Sequence, residues 1–423
     1  MKGSFTISKE ELALLEQIIP KELCDSCLGR QLGKRGHGLM NAERGILIRQ
    51  AFEEPPEQVQ PKDCWLCEGL MDEFPKFADM VFKAFGPYDY DTYLIGCLVE
   101  DALKKREKEL GALLNEGKEQ EELKSEINRE VGKLVWGLNN KEVAFENPDI
   151  LAVLDTRFDV VKVEVHAVYL YARYRKFKRG IPQTKWPCRD CKGKGCKRCA
   201  GTGKMYPTSV EEIIAAHLME LTKASEHALH GMGREDIDAR MLGNGRPFVM
   251  ELKEPLLRKK VLGDLKAIQE AINGKAHGEV EIEGLRFSSL KEIREIKDHK
   301  AQKSYSVDIE FAEAGKVDQA ILDKAFEGLR GKVLDQRTPE RVAHRRADLV
   351  RNRTVRAIDG TVSGPSTARV SITGDAGIYI KELITGDGGR TEPSLACLLG
   401  IGCKVLALDV VHIHDDEVTE GKI

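Results

Sequence analysis

A polar, glycine-rich stretch in the middle of the chain carries the residues best suited to catalysis. It runs from His230 to Leu252 and reads HGMGREDIDARMLGNGRPFVMEL, with four acids, three arginines and four glycines. Arg234 and Asp236 form an Arg-x-Asp unit, in which a neighbouring cation would keep the carboxylate ionised at neutral pH. An ionised carboxylate can act as nucleophile or base. We interpret the stretch as an active-site loop; the alternative is a polar loop whose acids cap a helix or pair with the arginines.

Part of this stretch, GREDIDARMLGNGRPFVMEL, resembles the catalytic segment of one pseudouridine synthase family, the archaeal and eukaryotic tRNA pseudouridine(54/55) synthase. Its Gly-Arg-Glu-Asp is similar to the Gly-Arg-Leu-Asp or His-Arg-Leu-Asp of other synthase families. The resemblance implies that Asp236 is the single aspartate on which such enzymes depend. Asp238, two residues later, is the rival that spacing leaves open.

Two later segments are similar to the second and third motifs of such synthases. Lys303-x-Tyr305 lies in a segment with alternating apolar and polar residues, and the resemblance implies that Tyr305 stacks on the target uracil. In the third motif, Lys381 would pair with the catalytic aspartate and Leu383 would pack under the base. Taken alone, Tyr305 would be an ordinary strand aromatic and Lys381 a surface lysine. The expected substrate-binding residues are Tyr305, Lys381, Leu383, Arg234 and Tyr379.

Eight of the eleven cysteines fall in C-x2-C pairs, which is a spacing typical of metal ligands. Cys24 and Cys27 form one pair, and Cys64 and Cys67 form another 36 residues later. Two such pairs present four thiolates to one tetrahedral zinc, and four protein ligands leave no open position for catalysis. The resemblance also implies a zinc in the N-terminal domain.

A second cluster holds Cys188, Cys191, Cys196 and Cys199 in the segment WPCRDCKGKGCKRCAGTGKMYP. These pairs are only four residues apart and are followed by glycines, as in the CxxCxGxG repeats of chaperone domains. We favour zinc here as well, with a redox role as the alternative. Six lysines and arginines in the segment indicate that it also contacts phosphate.

Composition limits the class of protein. A chain of 423 residues with 41% hydrophobic and 32% charged residues is typical of a soluble protein with two or three domains. No apolar run approaches the roughly 20 residues that a membrane span needs, so we expect a cytoplasmic protein. The net charge of −3 means that any surface for nucleic acid must be local.

Two local basic segments are candidates for RNA binding. The first runs from Tyr169 to Arg179 and mixes tyrosines with cations, a combination suited to phosphates and unpaired bases. The second, from Leu334 to Arg356, has seven arginines and three acids. The alternatives are a charged edge strand and a solvated face. The expected RNA-binding residues are Arg173, Arg175, Lys176, Arg345 and Arg346.

These patterns predict an α+β protein with two parts. Residues 1–206 would be an accessory RNA-binding domain, with the four-cysteine zinc site at 24–67, a helical hairpin at about 99–136, a segment resembling a THUMP domain at about 140–182 and the second cysteine cluster at 188–199. Residues 207–423 would be a pseudouridine synthase domain with a mixed antiparallel sheet. Ser209 begins its first helix, with Glu212 three residues later as a capping partner.

The resemblance implies an isomerase that converts uridine to pseudouridine at positions 54 and 55, in the TΨC arm of tRNA. The reaction carries no group and changes no oxidation state, so we expect structural zinc and no organic cofactor. Asp236 would either attack C1′ or remove the C2′ proton. We expect a monomer with tRNA as its partner. One alternative is a non-catalytic THUMP and zinc protein that binds or folds tRNA. The other is a different THUMP-bearing tRNA enzyme, a thiolase or methyltransferase, although the sequence has no Gly-rich strand-to-helix fingerprint for ATP or S-adenosylmethionine.

Overall fold

The computed structural model describes residues 5–114, 119–258, 261 and 263–415. The chain divides into two compact units. One comprises Met1–Ala167 with Glu254–Lys259, and the other comprises Val168–Lys253 with Lys260–Ile423. Within the described ranges, no helix combines the length and the apolar character that crossing a bilayer would need.

The first unit packs helices against a four-stranded sheet in the order β2-β1-β3-β4. Its core is formed by the apolar faces of the helices, with Phe77, Val81 and Ile127 fully or almost fully buried. The helices are α1 (Lys9–Glu16), α2 (Asp25–Gly29), α3 (Asn41–Gln50), α4 (Phe74–Phe85), α5 (Asp101–Leu113) and α6 (Leu123–Asn139), and the strands are β1 (Thr92–Leu98), β2 (Glu142–Val143), β3 (Ile150–Asp155) and β4 (Val160–Val165).

The second unit is built on a ten-stranded sheet. Its strands are β5 (Val168–Lys176), β6 (Glu226–Gly231), β7 (Arg240–Lys253), β8 (Val280–Phe287), β9 (Gln302–Phe311), β10 (Val333–Arg337), β11 (Val350–Gly364), β12 (Thr367–Gly374), β13 (Thr391–Glu392) and β14 (Cys403–His414). Their order is β13-β10-β11-β12-β9-β14-β7-β5-β8, with β6 paired to β7. The β14–β7 pairing is parallel and the others are antiparallel, so the predicted α+β fold with a mixed sheet is confirmed.

Among the described residues, this sheet is accompanied by the helices α7 (Val210–Thr222), α8 (Leu265–Lys275), α9 (Leu290–Asp298), α10 (Gln319–Leu329), α11 (Ile380–Thr385) and α12 (Leu395–Leu399). The expected cap of α7 is present, because the Ser209 hydroxyl accepts a hydrogen bond from the Glu212 amide at 3.2 Å. The capped N–H is one of the donors that a helix start otherwise leaves without a partner.

The division of the chain differs from the expected boundary at 206/207. Strand β5 pairs with β7 and β8 inside the large sheet, so the segment from Val168 onward belongs to the second unit. The basic segment around Arg173 is therefore an interior strand and not an edge strand. Its pairing partners lie 65 or more residues away in sequence, and local pattern alone cannot reveal them.

Candidate active site

Asp236 lies in a short connection, residues 232–239, between β6 and β7. The predicted loop from His230 to Leu252 is thus mostly strand. The strand requires glycine at position 243. Gly243 has a φ of +56°, and a Cβ there would lie 1.7 Å from the Val411 carbonyl oxygen. Gly245, with a φ of +70°, lies where the β5–β7 register shifts. The glycines allow close strand contact and a bulge, so they do not indicate an extended loop.

A buried polar network, which we call the Glu235 network, holds this connection. Glu235 is fully buried beside Asp236, and its carboxylate accepts hydrogen bonds from Arg246 Nε at 2.9 Å and Tyr174 Oη at 2.8 Å. Lys176 Nζ lies 3.6 Å from the same carboxylate. Burial alone would raise the pKa of Glu235, but the charges of Arg246 and Lys176 lower it below its usual range. The carboxylate is therefore ionised and anchors the backbone next to Asp236.

Other side chains of this network donate hydrogen bonds directly to the main chain of the connection. Arg246 Nη1 donates to the Met232 carbonyl at 2.6 Å, and Gln183 Nε2 donates to the Gly233 carbonyl at 3.0 Å. Lys176 Nζ donates to the Asp236 carbonyl at 3.3 Å. Because these donors come from buried side chains, they fix the backbone that carries the Asp236 carboxylate.

The Asp236 carboxylate lies between two cations. Arg341 Nη1 is 3.1 Å from Asp236 Oδ2, and Lys381 Nζ is 3.5 Å from the same oxygen. Arg341 comes from the 3₁₀ turn Glu340–Arg345, and Lys381 comes from the first turn of α11. Residues from three distant segments of the chain thus meet at one carboxylate.

Arg341 is held in place by a second acid. Its Nε donates to Glu382 Oε1 at 2.7 Å, and Glu382 is almost fully buried. Burial opposes the charged guanidinium, but the hydrogen bond and charge of Glu382, together with the charge of Asp236, raise the pKa of Arg341 above its usual range. Arg341 therefore presents a fixed positive charge to Asp236.

Asp238, the rival carboxylate, contacts the same lysine. Lys381 Nζ lies 2.7 Å from Asp238 Oδ2, closer than it lies to Asp236. Burial would raise the pKa of Asp238, but the hydrogen bond and charge of Lys381 lower it. The Asp238 side chain is 68% exposed, against 31% for Asp236. Only Asp236 is among the residues that line the main cavity beside Tyr305.

That cavity has a volume of about 480 Å³. Asp236, Tyr305 and Lys381 all line it, as the three sequence motifs predict. Tyr305 is 8% exposed, and burial raises its pKa to about 12, so its hydroxyl keeps its proton at neutral pH. Burial and the charge of Arg246 lower the pKa of Lys303, also in the wall, to about 8.

Leu383 does not take the position that the third motif implies. It is fully buried in the core and is absent from the cavity wall. On α11 it lies two residues after Lys381, so the two side chains point in different directions. The apolar part of the wall is formed instead by Val342, Ile378, Ile380, Leu408 and Val410.

The remaining expected substrate contacts, Arg234 and Tyr379, line the same cavity. Arg346, an expected RNA-binding residue, lines it too, and its Nη1 donates to the Tyr379 hydroxyl at 3.0 Å. The Arg234 guanidinium carbon lies 4.9 Å from the centre of the Trp186 ring, in a cation–π contact. The Arg345 side chain lies outside the part of the chain that is described.

The three expected RNA-binding cations on β5 have other partners. Lys176 is completely buried in the Glu235 network, and the prediction that it binds RNA is wrong. Arg173 pairs with Asp415 at 2.7 Å, and Arg175 lies 3.2 Å from Glu281. Cations on an interior strand alternate between the faces of the sheet, and here they meet acids of the protein.

Both cysteine clusters have the geometry of a four-thiolate metal site. In each, the four sulfur atoms lie within 4.8 Å of one another. The measured Sγ–Sγ distances are 3.8 Å for Cys24–Cys67 and, in the second cluster, 3.8 Å for Cys188–Cys196 and for Cys191–Cys199. Tetrahedral coordination with metal–sulfur bonds of about 2.3 Å sets the sulfurs about 3.8 Å apart. Each cluster could hold one metal ion.

Sequence reasoning did not single out several residues of the site, among them Trp186, Glu235, Arg341 and Glu382. Glu235 and Glu382 each adjoin a motif residue, and this adjacency was the available signal. Arg341 belongs to the predicted arginine-rich segment but was not singled out, because seven arginines there look alike in sequence. Trp186 adjoins the second cysteine cluster, which no motif connected to Asp236.

The chain is similar to known proteins over most of its length. A family model described as Pus10, C-terminal, matches residues 169–414, and one described as the archaeal Pus10 THUMP domain matches residues 77–155. The protein named tRNA pseudouridine synthase Pus10 in Halorubrum lacusprofundi is 42% identical over 409 residues, covering 93% of this chain and 94% of that protein. Its namesake in Methanothrix thermoacetophila is 39% identical over 422 residues, covering 92% and 91%. Among solved structures, the match to a chain of a Cbf5-Nop10-Gar1 complex covers 59% of this chain and 50% of that chain, with 14% sequence identity and a TM-score of 0.33.

The family model over residues 169–414 and the two named relatives define the class of protein: the chain is a tRNA pseudouridine synthase, an isomerase. It belongs to the Pus10 family. The expected resemblance is therefore confirmed. The THUMP match at residues 77–155 begins and ends earlier than the expected segment at about 140–182.

Proposed function

We propose that Asp236 is the catalytic carboxylate and that the target uridine binds in the cavity beside it. The single observation that carries this proposal is the meeting of Asp236, Tyr305 and Lys381 in one cavity, although the tyrosine and the lysine lie 69 and 145 residues from Asp236 along the chain. A carboxylate fixed by a buried network and flanked by two cations is preorganised to react without moving.

The reaction breaks the bond between C1′ and N1, turns the uracil and joins C1′ to C5. A proton leaves C5 and another is gained at N1, so atoms and electrons balance without an organic cofactor. In one route Asp236 attacks C1′ and forms a covalent bond; in the other it removes the C2′ proton. Both require the uridine to leave the RNA stack, which costs a few kcal/mol that contacts in the cavity recover.

Each wall of the cavity has a role in this proposal. Tyr305 stacks on the uracil, and the apolar residues around Ile380 exclude water from the reacting atoms. Arg341 and Lys381 orient the Asp236 carboxylate through their ion pairs with it. Arg234 and Arg346, at the exposed side of the cavity, bind the phosphates on either side of the target nucleotide.

We propose that the substrate is the TΨC arm of tRNA, at uridines 54 and 55, and that the protein works in the cytoplasm. We also propose that the metal in both cysteine clusters is zinc. Four thiolates in a tetrahedron suit zinc or iron, and zinc adds no redox chemistry to a reaction that needs none. The ion would hold the chain together and take no part in the isomerisation.

The substrate proposal is tested by mapping pseudouridine in tRNA transcripts after treatment with the protein. We expect product at positions 54 and 55. A transcript with cytidine at 54 should lose only the product at 54, and a transcript with cytidine at 55 should lose only the product at 55. Product confined to another arm of the tRNA would contradict the proposed substrate. Metal analysis of the purified chain should give about two zinc ions per chain, and iron in their place would contradict the proposed metal.

A further inference from the structure

The loop that carries the second cysteine cluster forms one side of the entrance to Asp236. We call residues 185–206 the metal loop; it lies between β5 and α7. Its first aromatic residue, Trp186, lines a cavity of about 200 Å³ that adjoins the main one. The other residues around this smaller cavity are Arg234, Glu235, Asp236, Ile237, Asp238, Arg341 and Lys381. Trp186 thus lies beside carboxylates and cations that also line the proposed uridine cavity.

The cysteine cluster fixes the position of this tryptophan. The Met205 amide donates to the Trp186 carbonyl at 2.9 Å, and the Cys188 amide donates to the Gly203 carbonyl at 2.7 Å. These bonds close the base of the loop. The Tyr206 ring packs against Trp186 at 5.7 Å between ring centres, nearly perpendicular to it. An indole held in this way has little freedom before any ligand arrives, which favours binding.

The loop itself has little apolar surface to hold it together. Of its four cysteines only Cys188 is buried. Backbone amides orient the sulfurs: Gly195 donates to Cys191 Sγ and Gly203 donates to Cys199 Sγ, each at 3.2 Å. Such bonds stabilise thiolates that bind a metal. A bound metal therefore determines the conformation of the loop and, through it, the position of Trp186.

The outer surface of the metal loop is positively charged. Its exposed cations are Lys185, Arg189, Lys192, Lys194, Lys197 and Arg198. The only acid between Lys185 and Tyr206 is Asp190, which pairs with Arg198 at 2.9 Å. A ring next to cations is the combination that binds single-stranded nucleic acid, because bases stack on the ring and phosphates meet the charges.

We propose that the metal loop forms a subsite for the nucleotide next to the target uridine: Trp186 stacks on that neighbouring base, and the loop's cations bind the phosphates that follow it. This inference rests on the proposed function of Asp236 and extends it to the RNA on one side of the target. The loop would keep the strand stretched while the target base leaves the stack.

The stacking is tested with Trp186→Phe and Trp186→Leu. Both variants keep an apolar side chain, but only Trp186→Phe keeps an aromatic face. The substrate is a TΨC-arm hairpin with one target uridine, either intact or with an abasic residue on its 5′ or 3′ side, and kcat and KM are measured by release of tritium from C5. Base–aromatic stacking predicts that Trp186→Leu raises KM about tenfold while Trp186→Phe stays near wild type. One of the two abasic substrates should raise the wild-type KM by a similar factor.

The decisive result is the combination of the two changes. We expect the abasic substitution on that side to raise the KM of Trp186→Leu less than about twofold further, because this variant has no ring on which the base could stack. The proposal would be overturned if the effects of Trp186→Leu and of the abasic residue on KM multiplied in full for both the 5′ and the 3′ abasic substrate. An unchanged KM in Trp186→Leu would overturn it as well. A wild-type chain that makes no pseudouridine on the intact hairpin would instead contradict the proposed function, whatever the variants do.

The phosphate binding has a separate test. Lys194→Gln/Lys197→Gln should reduce the slope of log KM against log salt concentration by about 0.7–0.9 for each phosphate that the variant no longer neutralises. The control is Lys316→Gln/Lys324→Gln, which removes the same charge from another exposed part of the second unit and should leave the slope unchanged. Cys199→Ser should lower the metal content by one ion per chain and reproduce the KM of Trp186→Leu. Equal slopes in the two double variants, or a normal KM in Cys199→Ser after metal loss, would overturn the role of the loop.

Discussion

At the scale of single residues, the site depends on how the charges around Asp236 are connected. Arg341 contacts both Asp236 and the buried Glu382, and Lys381 contacts both Asp236 and Asp238. Each cation is thus shared between two acids. The Asp236 carboxylate therefore has fixed partners and still lines the cavity.

Removing the Arg341 charge should slow the reaction without preventing RNA binding. A charge-assisted hydrogen bond contributes about 1.5–3 kcal/mol, so we expect Arg341→Met to lower kcat by about tenfold to a hundredfold. The KM for tRNA should change by only a few fold. Arg337→Met is the control, because Arg337 lies nearby in sequence and pairs with Asp348 at the surface. A wild-type kcat in Arg341→Met would show that Asp236 does not need this partner.

Lys303 gives a prediction for pH. Because burial lowers its pKa in the folded chain to about 8, the unfolded chain binds more protons between pH 8 and about 10.4. This difference makes the free energy of unfolding rise with pH in that range. Below pH 8 the lysine is charged in both states, and the full free-energy cost of burying its charge is present. We expect Lys303→Met to raise the melting temperature by a few degrees at pH 7 and by less at pH 9, measured by thermal unfolding. An equal rise at both pH values would contradict the lowered pKa.

At the scale of elements, the pair β6–β7 and the buried network beneath its connection place Asp236. The alternation of β9 predicted the inward side chain of Tyr305, and the structure confirms an alternating strand from Gln302 to Phe311. The Glu235 network could not be predicted, because its members come from β5, β7 and two connections. Local patterns indicate which residues are apolar, but they do not indicate which distant polar groups meet in the core.

The Glu235 network should contribute strongly to stability. Glu235→Gln leaves Lys176 and Arg246 buried without their shared counter-charge, and breaking a buried pair in this way costs about 3–5 kcal/mol of unfolding free energy. Glu226→Gln is the control, since Glu226 pairs with Lys253 on the exposed part of the same hairpin and should cost less than about 1 kcal/mol. Denaturant unfolding measures both. Similar losses in the two variants would refute the role of the network.

At the scale of the whole molecule, the chain consists of two units, each with its own core and its own cysteine cluster. The cysteine clusters and the three synthase motifs were predictable because each is recognised from residues that lie close together in the sequence. The boundary between the units was not, because the strand that begins at Val168 reads like the strands before it and joins a sheet whose other members follow later. Topology is a non-local property of the sequence.

The first cluster should be needed for the stability of the first unit. We expect Cys64→Ser to lower the metal content by one ion per chain and to destabilise the unit that contains α1–α6, because a structural metal contributes directly to folding. Cys97→Ser is the control, since Cys97 is equally buried but lies outside both clusters. Full metal content in Cys64→Ser would show that this cluster does not bind the ion through Cys64.

The most direct test of the account compares two isosteric changes at neighbouring carboxylates. Tritium release from tRNA labelled at C5 of uridine is measured for Asp236→Asn and Asp238→Asn, with tRNA binding followed by filter retention. We predict that Asp236→Asn binds tRNA and releases no tritium, whereas Asp238→Asn retains most of the wild-type activity. Tritium release by Asp236→Asn, together with its loss in Asp238→Asn, would contradict the assignment and transfer the catalytic role to Asp238.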